Sequence, residues 1–332
     1  MAIDGEGECR ALAYPSLVGQ PRAGDRVLLN TTALAMGLGT GGYALVVALP
    51  ERLPADPAGP GHLVKARYTP LQATVTGADE QGSPHHELLR DTDGIDGMPV
   101  VIADLHSALP AVLTALAHDR PATRACYVMT DGGALPLWFS RSVAGLREAG
   151  TLAGTVTVGQ AFGGDLETTT LHTGLLAARH VLGADVAVVA QGPGNLGTGT
   201  RWGFSGVAAG EAVNAVAALR GRPVAALRVS EADPRERHRG VSHHSLTAYG
   251  RVALAPADVA VPTLPGEFGE RVVQEVKELG ERHRLVMVAT DGLVAALRTA
   301  PVRLSTMGRG LDEDLAYFLA AAVAGRHAAA VL

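Results

Sequence analysis

The chain has 332 residues, 47% of them hydrophobic, a formal net charge of −5 and two cysteines. That is enough apolar material for a full α/β core with a small appendage, and the dispersed lysines and arginines make no basic face of the kind that neutralises phosphates, so nucleic acid is not an expected partner. Cys9 and Cys126 build neither a disulfide framework nor a CxxC motif, which predicts a reducing, cytoplasmic setting, and the acidic start MAIDGEGECR lacks the pattern of an export signal.

Residues 1–75 read as a small β module. CRALAY, DRVLLNTTALAM and YALVVAL are apolar and β-branched, and the turn signals GQPRAGD and GLGTGG separate them. The three prolines of ERLPADPAGPG, residues 51–61, predict an exposed linker. HLVKARYTPLQATVTG then resumes extended character, either completing the module or entering the second domain.

From Met98 the rhythm changes. MPVVIAD, ACYVMTD, LAGTVTVG, ADVAVVA, RPVAALRV, DVAVPTL and RLVMVATD alternate with six stretches of helical length, the pattern of repeated βα units. Leu171, Leu175, Ala178 and Leu182 recur at helical spacing and give one of these helices an apolar face. Strands that are apolar throughout are buried on both faces, as in a parallel sheet. The expected fold is therefore α/β, with residues 76–332 forming a Rossmann-like, mostly parallel sheet with helices on both faces. LAYFLAAAVAG near the end is broken by Arg326 and His327 and falls short of the ~20 residues of a membrane span, so it reads as a core helix. Small-residue helices such as GVAAGEAVNAVAAL suit either a homodimer interface or packing on the sheet.

In such sheets ligands bind beyond the carboxyl ends of the strands. The residues that leave those ends are unusually polar: Asp104 and His106, then Asp131, then Gln160, then the loop QGPGNLGTGT. In that loop Gly192, Gly194, Gly197 and Gly199 allow close backbone approach, and a helix follows, an arrangement that favours a phosphate or carboxylate. Gln191, Asn195, Thr198 and Thr200 add side-chain hydrogen bonds. The loop lacks the Gly-Lys-Ser/Thr of a Walker A motif, and about nine residues separate its GxGxxG spacing from the helix, so no nucleotide or other cofactor is assigned.

A second cluster follows RPVAALRV. Its charge run, Glu231 to Arg239, reads as a solvated loop. Ser242 or Ser245 suits a helix cap, and His243 and His244 suit proton transfer near neutral pH. Adjacent histidines lack the i, i+4 spacing with which one helix face shares a metal, so no metal site is predicted. Asp104, His106 and Asp131 complete the candidates for proton transfer. Neither a GxSxG elbow nor a cysteine with an evident partner supports covalent catalysis.

DGEGECRALAYPSLVGQPRAGDRVLLNTTALAMGLGTGGY, KARYTPLQ, PVVIADLHSALP and QGPGNLGTGTRWGFSG resemble a domain-of-unknown-function family found mainly in actinobacteria. A fainter likeness covers about Leu152 to Pro265, which is similar to the proprotein subunit of glycine, sarcosine and betaine reductases. That resemblance implies a β module before an α/β part and a Gly-Asn loop at a strand end, here Gly194 and Asn195. The family cleaves itself at a cysteine to form a pyruvoyl group, and no cysteine occurs here between Cys9 and Cys126, so only fold and site location carry over. The expectation is a protein that binds an anionic small molecule at the carboxyl edge and acts on it as an enzyme. A noncatalytic binding or regulatory protein with a protein partner is the alternative.

Overall fold

The apolar runs from Met98 onward become the strands of one sheet. In the computed structural model, which describes residues 1–3, 7–56 and 59–332, these are β1 (Pro99–Ile102), β2 (Ala125–Thr130), β3 (Gly154–Thr157), β4 (Leu166–Glu167), β5 (Val186–Gln191), β6 (Arg222–Ala226), β7 (Asp258–Pro262) and β8 (Arg284–Val288). The order is β4-β3-β2-β5-β1-β6-β7-β8, and every neighbouring pair is parallel. The expected α/β class and parallel sheet are observed. Only β4 had no counterpart in the apolar pattern, because a two-residue edge strand between Asp165 and Thr168 carries too little periodicity to read.

Side chains alternate across the sheet. Val100, Ile102, Val128, Val156 and Val189 point to one core, and Val101, Tyr127, Met129 and Val188 point to the other. The first core is covered by α3 (Leu171–His180), α4 (Ala208–Ala218), α5 (His243–Thr247) and α6 (Gly266–Glu275). The second is covered by α1 (Leu109–Asp119), α2 (Arg141–Glu148), α7 (Leu293–Arg298) and α8 (Leu315–Ala330). In α3, Leu175 and Ala178 are buried, Leu171 and the following Leu182 pack against the same core, and the Thr170 side chain caps the first turn. The small residues of α8 let it lie against α1: a Cβ on Gly325 would come within 2.1 Å of the Val112 carbonyl oxygen. Among the described residues no helix is long and apolar enough to cross a membrane.

Connections leaving β1 and β2 run over one face of the sheet, and those leaving β5 and β6 run over the other. Strand β1 lies between β5 and β6. The chain therefore parts at the carboxyl ends of these three strands, which opens a crevice there.

Residues Met1–Thr76 form one compact unit and Gly77–Leu332 another. In the first, Ala11–Leu12 pairs in parallel with Ala44–Ala48, which pairs antiparallel with Leu28–Asn30, over a core of Val18, Val46 and Leu49. Leu63–Lys65 and Ala73–Val75 form a separate antiparallel pair. The stretch DRVLLNTTALAM is extended only over Leu28–Asn30. The Asn30 side chain accepts the Thr32 N–H, and Thr32–Ala35 turn into a short helix, a local bond that competes with strand continuation. Of the expected linker, Pro57 and Ala58 lie outside the described residues.

Candidate functional site

Strand β1 delivers Asp104 into the crevice, 5% exposed. Two residues past β6 comes Arg228, 4% exposed, with its guanidinium 3.8 Å from Asp104 Oδ2 and 3.7 Å from Asp233 Oδ2. From there the chain forms a short hairpin, Val229–Ser230 with Gly240–Val241, and returns through a 3-10 turn at Glu236–His238. The return brings Ser242 to the start of α5, where its side chain accepts the His244 N–H and pairs with His238 Nδ1 at 2.7 Å. The cap expected of Ser242 or Ser245 thus falls to Ser242. Ser245 instead accepts the Arg228 N–H.

The charge run Glu231 to Arg239 is only partly the solvated loop that its composition predicts. Glu231, Glu236, Arg237 and Arg239 are exposed, but Asp233 and His238 are each 2% exposed. Asp233 tolerates burial because its carboxylate accepts three bonds from Arg235, through the backbone N–H, Nε and a terminal nitrogen, and one from Arg309 at 3.2 Å. Burial pushes its carboxyl pKa up, and the bonds and charges of Arg235 and Arg309 overcome that and hold it far below the ordinary range. Arg309 also pairs with Asp314, which accepts from Ser230 Oγ. Three cations and three carboxylates thus interlock behind the crevice.

In front of them stand three imidazoles. His244 lies flat on Phe204, with ring centroids 3.8 Å apart and planes at 4°. His238 and His243 pack edgewise or tilted against it and each other. One ring nitrogen from each of the three lies within 4.8 Å of the other two, a grouping able to hold a metal ion. Burial, with help from Arg228 and Arg235, lowers the His238 pKa to about 3. Burial together with the neighbouring His244 and Arg237 lowers that of His243 to about 4. Both rings are neutral at physiological pH. His244 Nδ1 lies 3.2 Å from Arg228 and 3.5 Å from Asp104 Oδ2. Asp104 Oδ2, Gln191 Oε1 and His243 Nε2 are all buried and lack a hydrogen-bond partner.

The glycine loop closes the crevice on the side of β5. Gln191 Nε2 donates to the Asp104 carbonyl at 2.9 Å and to Asn195 Oδ1 at 3.0 Å, and Ser205 Oγ donates to the same Asn195 oxygen. Gly192 is buried and donates its N–H to Thr130 O. Gly194 and Gly199 take φ of +92° and +78°, which favour glycine. Gly197 bridges to Phe204, and Thr198 and Thr200 bond to each other and to Gly203, so the exposed tip is a small hairpin. Gly199 lies against the Arg237 guanidinium.

The remaining candidates lie apart from this cluster. Asp131 is exposed and accepts the Gln160 N–H at 2.9 Å, so these two hold one loop turn together. His106 contacts Tyr127 OH through Nδ1 at 3.0 Å and Ser140 Oγ through Nε2 at 2.7 Å, and burial lowers its pKa to about 4. Among the candidates, the structure brings Asp104, His243, His244, Gln191 and Asn195 together. The sequence reading missed Arg228, Asp233, His238, Phe204, Arg309 and Asp314. Arg228 did carry a signal, since a lone cation inside the apolar run RPVAALRV demands buried partners. Arg309 and Asp314 are some eighty residues from those they meet and gave no sign.

A family model described as protein of unknown function (DUF3866) matches residues 10–325. No curated protein and no solved structure matches the chain.

Proposed function

The chain belongs to the DUF3866 family, and since that membership brings no activity with it, we propose from the site alone that the protein binds an anionic small molecule at the carboxyl edge and acts on it. The Gln191–Thr200 loop and Arg237 would hold the anion, and Asp104 with His243 and His244 would supply the reacting groups. The observation that carries this reading is the set of buried, partnerless atoms Asp104 Oδ2, Gln191 Oε1 and His243 Nε2 gathered at a strand-end crevice. Native proteins leave few such atoms, and a ligand, an ion or water is among the things that complete them. Around His243 a surface groove carries Arg237, Arg239, Arg271 and Lys277, which outnumber its three glutamates and favour a negative ligand. The likeness of Gly194 and Asn195 to the loop of reductase proprotein subunits supports the same placement.

Proton transfer suits the site better than covalent catalysis. The serine–histidine contact between Ser140 and His106 is occupied in capping α2, with Ser140 Oγ accepting the Val143 N–H, and burial pushes the Cys126 thiol up to about 12. A thermal-shift series with phosphates and small carboxylates tests the reading. A ligand at 100 times its Kd stabilises the fold by about 2.7 kcal/mol. The expected result is a shift in the wild type that Asn195→Ala loses. A series in which no anion shifts the wild type overturns it.

A further inference from the structure

We infer that His238, His243 and His244 together bind one divalent transition-metal ion, zinc or its cobalt substitute, through one ring nitrogen each. The inference goes beyond the anion reading and does not depend on it, because the metal alone can be offered to the free protein. The adjacent pair His243 and His244 cannot share a metal from one helix face by itself. The 3-10 turn at Glu236–His238 supplies the third imidazole, which sequence spacing could not place.

Four observations point the same way. The three nitrogens already lie within 4.8 Å of one another. Tetrahedral coordination with metal–nitrogen bonds of about 2.1 Å sets ligands about 3.4 Å apart, so side-chain rotations of roughly 1 Å close the site. His243 Nε2 is buried with no hydrogen-bond partner, so its lone pair or proton is unused where that is costly. His238 is oriented by Ser242 through Nδ1, which leaves its other nitrogen for a ligand's role. Finally, Asp104 Oδ2 is a partnerless carboxylate oxygen 3.5 Å from His244 Nδ1. A histidine that ligates through one nitrogen donates its other N–H to such a carboxylate. In the structure His244 Nδ1 accepts from Arg228 at 3.2 Å; metal at Nε2 would move the proton to Nδ1 and turn its bond from Arg228 to Asp104 Oδ2, 3.5 Å away.

Cationic neighbours oppose a metal, but Arg228 lies between Asp104 and Asp233, and their carboxylates offset its charge. Three imidazoles select zinc, cobalt, nickel or copper over magnesium or calcium and leave a fourth position for water, as catalytic rather than closed structural sites do. With a metal bound, His243 and His244 would act as its ligands, and the chemistry the metal would supply is activation of a water at the open position.

The test strips the purified full chain with a chelator and titrates it with Co2+ and then Zn2+, following visible ligand-field absorption and metal content. The expected result is one Co2+ per chain with the intense spectrum of four-coordination, displaced by Zn2+. His243→Ala changes a half-buried ring with an unpaired nitrogen and should leave the far-ultraviolet circular dichroism intact while losing the site. Asp104→Asn should weaken affinity about 10- to 100-fold, and His85→Ala, outside the cluster, should bind as the wild type does. A wild type that takes up no stoichiometric Co2+, or a folded His243→Ala that binds it as tightly as the wild type, overturns the inference.

Discussion

The two halves of the sheet's carboxyl edge carry similar polar side chains but treat them in opposite ways. Beyond β2, β3 and β4, the groups satisfy one another. Asp131 holds Gln160, Asp165 accepts from Thr155 and pairs with Arg147, Glu167 holds Gly163 and Thr157, and His106, which leaves β1 but turns to this side, has both nitrogens engaged by Tyr127 and Ser140. Beyond β5, β1 and β6, an equally polar set leaves Asp104 Oδ2, Gln191 Oε1 and His243 Nε2 without hydrogen-bond partners. Polarity alone therefore does not mark a site. What separates the halves is buried hydrogen-bonding capacity left open, which costs free energy and which a ligand, an ion or water would complete.

The largest expected effect is at Arg228. Arg228→Leu leaves Asp104 and Asp233 buried without their shared cation and should cost about 3–5 kcal/mol in urea unfolding. A loss no greater than that of a paired group on the other half would mean that the crevice is not held together by charge.

On the closed half, His106 should show itself through pH. Its folded pKa of about 4 lies below the ordinary value of about 6.5, so the unfolded chain takes up the proton first as the solution is acidified. The stabilisation is complete above pH 6.5 and is lost as pH falls toward 4, by on the order of 3 kcal/mol. His106→Gln should flatten that part of the stability–pH curve, and an unchanged slope would show that the ring is solvated.

Glu167→Gln has a smaller expected effect. One of the donors, Gly163 N–H or Thr157 hydroxyl, loses its acceptor, at a cost of about 1–3 kcal/mol. Asn195→Ala, on the open half, should change stability least, by about 1 kcal/mol, because the two bonds it accepts lie in a partly exposed loop. Its effect should appear in the anion response instead. If Asn195→Ala unfolds the protein as readily as Glu167→Gln does, the glycine loop is scaffold.

Much of the fold was legible in the amino-acid order. Seven of the eight strands stand in the chain as apolar runs, and α3 stands as a repeat of Leu171, Leu175 and Ala178, because burial on two faces or on one stripe imposes a local period. Asp104, Gln191 and Asn195 were legible as strand-exit residues for the same reason: a parallel sheet sends every carboxyl end to one edge. The sequence could not tell Asp131 and His106 from Asp104 and His244, since the distinction lies in partners such as Gln160 and Tyr127 that only folding supplies. Nor could it show that Asp233 and His238, inside a charged run, are buried. That depends on Arg309, brought from beyond β8, and on a turn that folds His238 back to Ser242. By itself the sequence determined the sheet, its layers and the edge where polar residues emerge, because these follow from periodicities of a few residues. Tertiary structure alone decided which of those residues remain unsatisfied and that three imidazoles meet, because hydrogen bonding and ligation depend on distances between segments far apart in the chain.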